Sequence, residues 1–280
     1  MKTALVLEGG AMRGIYTAGV IDVLLENNIK VDGIIGVSAG AIYGINYGSK
    51  QIGRAIRYNK KYIKYRNYMS FYSFITTGNL VNKNFCYYEI PNELDKFDYE
   101  EYKKSNLDFY VVITNLKTGK PEYHKINDLK NEVEYIRASS SMPLVTKKVI
   151  LNDIPYLDGG VSDSIPVKKA IELGYEKIIV VLTRTIEYQK PKVNIKPYKI
   201  IYKKYPNFIR TMQERHIMYN ETTKEIKKLE QKNKIFVIRP TKDLKIKRLE
   251  KNIKKIESMY QLGKDDCTNK IKDLTNYINN

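Results

Sequence analysis

Short apolar runs alternate with helix-patterned stretches along most of this chain. Ala4 to Leu7 is an uninterrupted apolar run that ends in a glycine-rich turn. From Gly14 to Asn27 the apolar positions recur at helical spacing until Asn27-Asn28 closes the pattern. A second run, Val31 to Ile35, leads into Gly36-Val37-Ser38-Ala39-Gly40, and Ala39 to about Gly48 reads as a small-residue helix suited to burial under a sheet. Leu107 to Thr114 is a strand bounded by Asn115 and Lys117-Thr118-Gly119, Glu132 to Ser139 a short helix, and Lys234 to Ile238 a late strand closed by Arg239-Pro240. Ile178 to Leu182 is apolar at every position, as in a strand covered on both faces. Strands alternating with helices predict an α/β protein, a three-layer α/β/α sandwich with a mostly parallel central sheet.

Two stretches depart from that rhythm. Residues 50–105 look like an insertion of helices and aromatic loops, placed to act as a lid or as the wall of a pocket. Beyond the last strand, Leu249, Ile253, Ile256 and Tyr260 follow one helical stripe and Ile271, Leu274 and Ile278 a second, with Gly263 between them as a stop signal. The expectation is therefore one α/β domain over residues 1–243 and a pair of helices over 244–280 packed on it.

Composition narrows the class. A chain of 280 residues can bury a substantial core. Cys86 and Cys267 alone make neither a disulfide framework nor a metal site, so no metal or other cofactor is expected. The first apolar run is too short for a signal peptide and no stretch approaches the length of a membrane span, which predicts a cytoplasmic protein, soluble or peripheral to a membrane. The formal net charge is +18, which favours anionic partners. From Ser49 to Arg66 there are seven basic residues and no acid, interleaved with Ile52, Ile56, Tyr58, Tyr62, Ile63 and Tyr65. A second basic, tyrosine-rich stretch runs from Lys190 to Lys204. Basic residues with interfacial aromatics suit peripheral contact with an anionic bilayer through segment 50–68; the alternative is a solvated helix face. No nucleic-acid recognition motif accompanies the charge, and no such partner is expected.

Candidate chemistry is concentrated in three turns. Gly36-Val37-Ser38-Ala39-Gly40 sits between a strand and a helix, where flanking glycines let the backbone bend and the Ser38 hydroxyl project freely. The helix that follows presents unpaired N–H groups to a developing oxyanion. Glu8-Gly9-Gly10-Ala11-Met12-Arg13-Gly14 is a glycine-rich turn between the first strand and helix. Its N–H groups suit either a phosphate or an oxyanion. Neither dinucleotide nor nucleotide phosphate-loop spacing is met. Asp158-Gly159-Gly160 places a carboxylate before a Gly-Gly turn. Taken singly, each has a plainer reading: a strand-to-helix connection, an N-cap serine, a turn aspartate.

In this order the three turns resemble the patatin-like phospholipase family, over roughly residues 3 to 182. The resemblance implies Ser38 as nucleophile and Asp158 as its base, a dyad without histidine. Gly9, Gly10 and Ala11 then lie in the oxyanion loop beside Arg13, and Ala39 adds a further N–H. Gly14, Gly36, Gly40, Gly159 and Gly160 support the turns. Ala138-Ser139-Ser140-Ser141-Met142-Pro143 and Ser164-Ile165-Pro166 are similar to two further elements of the family. Ala11 stands where the family has glycine; its N–H survives provided the backbone there does not need a positive φ.

The histidines bear on mechanism independently. A Ser-His-Asp triad needs an imidazole between serine and acid. His216 has the right chain order but reads as mid-helix, and His124 falls in an exposed hairpin. The sequence thus predicts a serine acyl-ester hydrolase working through Ser38 and Asp158, and the resemblance implies a lipid ester as its substrate. Two alternatives stay open: an esterase of small esters with a Ser38-Asp158-His216 triad, and a non-catalytic lipid- or polyanion-binding protein with a relic site.

Overall fold

The computed structural model describes residues 1–280. In chain order the elements are β1 (Thr3–Leu7), α1 (Ile15–Glu26), β2 (Gly33–Val37), α2 (Ala39–Gly48), α3 (Arg54–Tyr62), α4 (Phe71–Thr77), α5 (Tyr99–Lys104), β3 (Asp108–Asn115) and β4 (Pro121–Ile126). They continue with α6 (Val133–Ser139), β5 (Val149–Leu151), β6 (Ile154–Asp158), α7 (Val167–Glu172), β7 (Lys177–Val181), α8 (Lys196–Ile201), α9 (Pro206–Gln231), β8 (Phe236–Ile238) and α10 (Ile253–Asn279). All eight strands form one sheet. The pairs β2–β3, β1–β2, β1–β7 and β7–β8 are parallel, and β4, β5 and β6 add antiparallel pairings.

Alternation along the strands separates two cores. Leu5, Leu7, Ile34, Phe109, Val111, Ile179 and Val181 pack with α1, α2 and α10 on one face. Ala4, Val6, Ile35, Val37, Val112, Ile178 and Val180 pack with α7 and α9 on the other. This is the three-layer sandwich that the apolar strands implied, because a strand buried on both faces has no polar side to alternate with.

One feature of the sheet positions the site. β4 occupies one edge of β3 along Phe109–Thr114, so β2 and β6 share the other edge, end to end. β2 ends with Val37 opposite Val112, and antiparallel β6 ends with Asp158 opposite Ile113, the next residue of β3. The residue after β2 and the last residue of β6 are thereby brought face to face.

The C-terminal region differs from the expected helical pair. Residues 253–279 are a single helix, preceded by a loop whose Arg248 carbonyl accepts the Met12 N–H at 3.3 Å. Gly263 lies inside that helix. A Cβ there would sit 2.1 Å from the Tyr16 carbonyl oxygen, and one on Gly19 of α1 would sit 2.2 Å from the Tyr260 carbonyl oxygen. The glycine permits α1 and α10 to touch backbone to backbone; it does not end a helix. The segment from 50 to 68 also differs from a free amphipathic face. Tyr58, Tyr62 and Ile63 are core residues, Arg54 is buried against Asp95 and Asn46, and Arg57 pairs with Asp95. Its exposed members are Lys50, Ile52, Arg57, Lys60, Lys61, Lys64, Tyr65, Arg66 and Asn67.

Candidate active site

Ser38 turns the corner from β2 into α2 at φ 53° and ψ −119°, a conformation costing about 1–3 kcal/mol for a non-glycine residue. The surroundings hold it there. Its N–H donates to Ser139 Oγ at 2.8 Å. Gly40 permits the start of α2 to press on β1, where a Cβ would lie 2.4 Å from the Leu7 carbonyl oxygen. Ser38 Oγ donates to Asp158 Oδ2 at 2.8 Å. Asp158 also accepts the Gly160 N–H on Oδ1 at 2.8 Å, and its own backbone is pinned by the Ser141 carbonyl and the Thr114 hydroxyl. Burial pushes the Asp158 carboxyl above the usual aspartate range, against the opposing pull of nearby Arg215 and the bonds from Ser38 and Gly160. A carboxylate so placed gains from accepting a proton.

The glycine-rich turn lies beside this pair. Ala11 has φ 49°, so the position does require the left-handed region, and alanine carries strain that glycine would not. The N–H groups of Gly10, Ala11 and Ala39 find no acceptor in the protein, whereas that of Gly9 donates weakly to the Ser164 carbonyl at 3.4 Å. Gly9 instead supplies closeness: a Cβ there would stand 3.1 Å from Ser38 Cβ. The turn thus leaves the N–H groups of Gly10 and Ala11 free beside that of Ala39 at the start of α2, with Gly9 as a spacer.

Two cavities meet at Ser38. The first, about 150 Å³, is lined by 24 residues of which 19 are hydrophobic. The insertion supplies much of its wall, including Tyr58, Met69, Tyr87, Ile90 and Phe97, and α2 and α6 add Ile42 and Ile136. The second, about 250 Å³, holds Glu8 and Asp158 together with Arg13, Arg184, Lys190, Arg215 and Arg248. Ala11, Ser38, Met142 and Arg248 line both.

Neither histidine reaches the pair. His124 bonds to Glu132 Oε1 at 2.8 Å and stacks on Tyr135. His216 lies on α9 with its Nδ1 buried and unpartnered, and lines neither cavity. Its neighbour Arg215 is the residue that turns inward, donating to the Gly160 carbonyl at 2.6 Å. No three His, Cys, Asp or Glu side chains converge in a way that could hold a metal ion. No helix is long and apolar enough to cross a membrane. Sequence reasoning missed Ser139 and Ser141 as anchors of the serine and aspartate backbones; their signal was the small-residue turn itself.

The family model for patatin-like phospholipases matches residues 5–171, and one for a domain of unknown function, DUF6363, matches residues 205–279. The uncharacterized protein YjjU of Escherichia coli (strain K12) is 30% identical over 275 residues, covering 94% of this chain and 75% of that one. Lysophospholipase nte1 of Aspergillus fumigatus is 30% identical over 199 residues, 68% of this chain and 12% of the fungal protein. Among solved structures, VipD from Legionella pneumophila is similar at a TM-score of 0.48 and 11% identity, over 97% of this chain and 67% of that one.

Proposed function

Because the chain belongs to the patatin-like phospholipase family, we propose that it is a serine acyl hydrolase of lipids, of phospholipase A or lysophospholipase type. Ser38 is the nucleophile and Asp158 its base. The observation that carries this reading is the 2.8 Å bond from Ser38 Oγ to Asp158 Oδ2 at the junction of an apolar and a polar cavity. The apolar cavity takes the acyl chain and the ester carbonyl lies over Ser38. Asp158 Oδ2 accepts the hydroxyl proton as Oγ attacks, and the oxyanion is received by the N–H groups of Gly10, Ala11 and Ala39. Asp158 returns the proton to the departing alcohol. It then takes a proton from the water that cleaves the acyl-enzyme and hands it to Ser38 Oγ as the acyl–oxygen bond breaks.

Reaction with a fluorophosphonate probe tests this. Labelling at Ser38 should vanish in Ser38→Ala and weaken in Asp158→Asn. The triad alternative predicts loss of labelling in His216→Ala as well; the dyad predicts that labelling persists. A folded wild-type protein that takes no label, with or without vesicles, would favour the relic binding protein.

Lipid reaches the site from an anionic surface. The contact is assigned to Lys61, Lys64, Tyr65 and Arg66 of segment 50–68 and to neighbouring Phe71 and Ile75, which are 70% and 69% exposed. Equal sedimentation with neutral and anionic vesicles would remove this part of the reading.

A further inference from the structure

We propose that the polar cavity beside Ser38 is a receptor for a phosphate monoester dianion, so that the lipid taken by this site carries a bare phosphate headgroup. The placement of that headgroup next to the ester rests on the acyl-hydrolase reading; the binding of the anion does not.

Five cations converge on the cavity from four separate segments. Arg13 follows β1, Arg184 and Lys190 stand in the connection between β7 and α8, Arg215 on α9 and Arg248 in the loop before α10. Only two carboxylates share the space, and both are engaged. Glu8 accepts from the Thr183 N–H, the Thr183 hydroxyl and the Tyr219 hydroxyl, and Asp158 accepts from Ser38 and Gly160. Every ion pair of the molecule lies elsewhere. The Nε atoms of Arg13 and Arg184 are buried without any hydrogen-bond partner. An unpaired buried donor on a cation is among the more costly arrangements in a protein, and a bound anion relieves it.

The cations also press on one another. Lys190 is brought down to about 7 by burial and by Arg215, Arg248 and Arg13, against a partial counter-pull from Glu8. Arg13 is brought down to about 10 by burial and by Arg184 and Arg248, again opposed by Glu8. Aromatic faces take up part of the charge: Arg184 lies 4.2 Å from the Tyr188 ring centroid and Lys190 4.0 Å from that of Tyr219. What remains is an excess of positive charge in a partly enclosed space. A phosphate monoester, with charge near −2 and three acceptor oxygens at neutral pH, matches it. A choline or ethanolamine ester would bring its own cation among the arginines, with no free carboxylate to receive it. Arg215 and Arg248 belong to the region 205–279, so the C-terminal part of the chain completes a pocket whose nucleophile comes from the first part.

The test uses the whole chain and two readouts. Calorimetric titration with sn-glycerol 3-phosphate should show binding to the wild type, at least about tenfold weaker in Arg184→Gln/Lys190→Gln and kept in Lys190→Arg. Thermal melts establish that the variants are folded. No binding to the wild type, or equal binding to the double variant, overturns the proposal. In the second arm, kcat/KM for 1-oleoylglycerol 3-phosphate relative to 1-oleoylglycerol should fall at least tenfold in the double variant. If glycerol 3-phosphate binds as expected while this ratio does not move, the pocket serves a free phosphate compound, and the headgroup assignment is overturned. Failure to cleave either lipid or p-nitrophenyl butyrate would sink the hydrolase reading, while the calorimetry still decides the anion pocket.

Discussion

The two cavities that meet at Ser38 are built by opposite means. The apolar one is walled by the 50–105 insertion together with α2 and α6, and its side chains satisfy one another by contact. The polar one gathers seven charged residues among its 22 lining residues, sent in from distant parts of the chain, and the Nε atoms of Arg13 and Arg184 find no partner among them. A closed set of contacts needs nothing more to be stable. An open set of like charges is stable only because the rest of the fold holds it, and it is completed by something outside the chain. The difference separates what the site is shaped to enclose from what it is charged to attract.

The most severe way to break the comparison is to remove the group both cavities share. Ser38→Ala should leave no measurable hydrolysis of any ester, whichever cavity its substituents occupy. Asp158→Asn should lower kcat by about 10²- to 10⁴-fold. Steady-state rates on a phosphate-bearing lipid, a phosphate-free lipid and p-nitrophenyl butyrate check this. Loss on one substrate alone would mean that the two cavities do not share a nucleophile.

Narrowing the apolar side comes next. Ile42 on α2 lines that cavity and not the polar one. Ile42→Phe should lower kcat/KM for palmitoyl esters by about 10- to 100-fold relative to butyryl esters, the scale of a few misplaced methylenes. An equal effect on both chain lengths would place the acyl chain elsewhere.

The polar side should answer to pH where the apolar side does not. Lys190, brought down to about 7, is charged below that value and neutral above it. The charged groups that act on it are Arg215 of α9, Glu8 at the end of β1, Arg248 and Arg13. Glycerol 3-phosphate becomes a dianion above about pH 6. Its affinity should therefore peak between about 6 and 7 and fall above, by up to about tenfold per pH unit. The acid limb of turnover belongs to Asp158, whose raised carboxyl must be ionised to act as a base, and should be shared by both lipids. Titration calorimetry across pH, beside rates on the phosphate-free lipid, separates the two limbs.

How legible each region was in the sequence follows from the same contrast. Gly36–Gly40, Gly9–Ala11 and Asp158–Gly160 are local devices, in which a few adjacent residues dictate a turn; strand periodicity supplied the sheet that carries them. The meeting of Ser38 and Asp158 depends on β2 and β6 sharing one edge of β3, a register that no local pattern encodes. The cationic pocket is less legible still, since Arg13, Arg184, Lys190, Arg215 and Arg248 come from four segments and none stands in a motif that announces the others. In the stretch from 50 to 68, charge density suggested a surface, yet Tyr58, Tyr62 and Ile63 are core. Gly263 was misread because a glycine that allows two helices to touch looks, in sequence, like one that ends a helix.

The smallest effect is expected at the partition itself. Ala11 lines both cavities and sits at φ 49°. Replacing it by glycine relieves a strain of about 1–2 kcal/mol and gives back roughly 0.4–1 kcal/mol through the freer unfolded chain. Ala11→Gly should therefore stabilise the protein by up to about 1 kcal/mol, a rise in melting temperature of at most about 2–4 °C. The N–H keeps its place, so labelling by a fluorophosphonate should persist at a similar rate. Because the methyl group contributes to the wall between the cavities, its loss should also move the preference between phosphate-bearing and phosphate-free lipids, by less than the tenfold that 1.4 kcal/mol would give. A fall in stability would mean that the methyl packs better than the strain costs. A larger shift in preference would mean that one methyl group sets the boundary between enclosure and attraction.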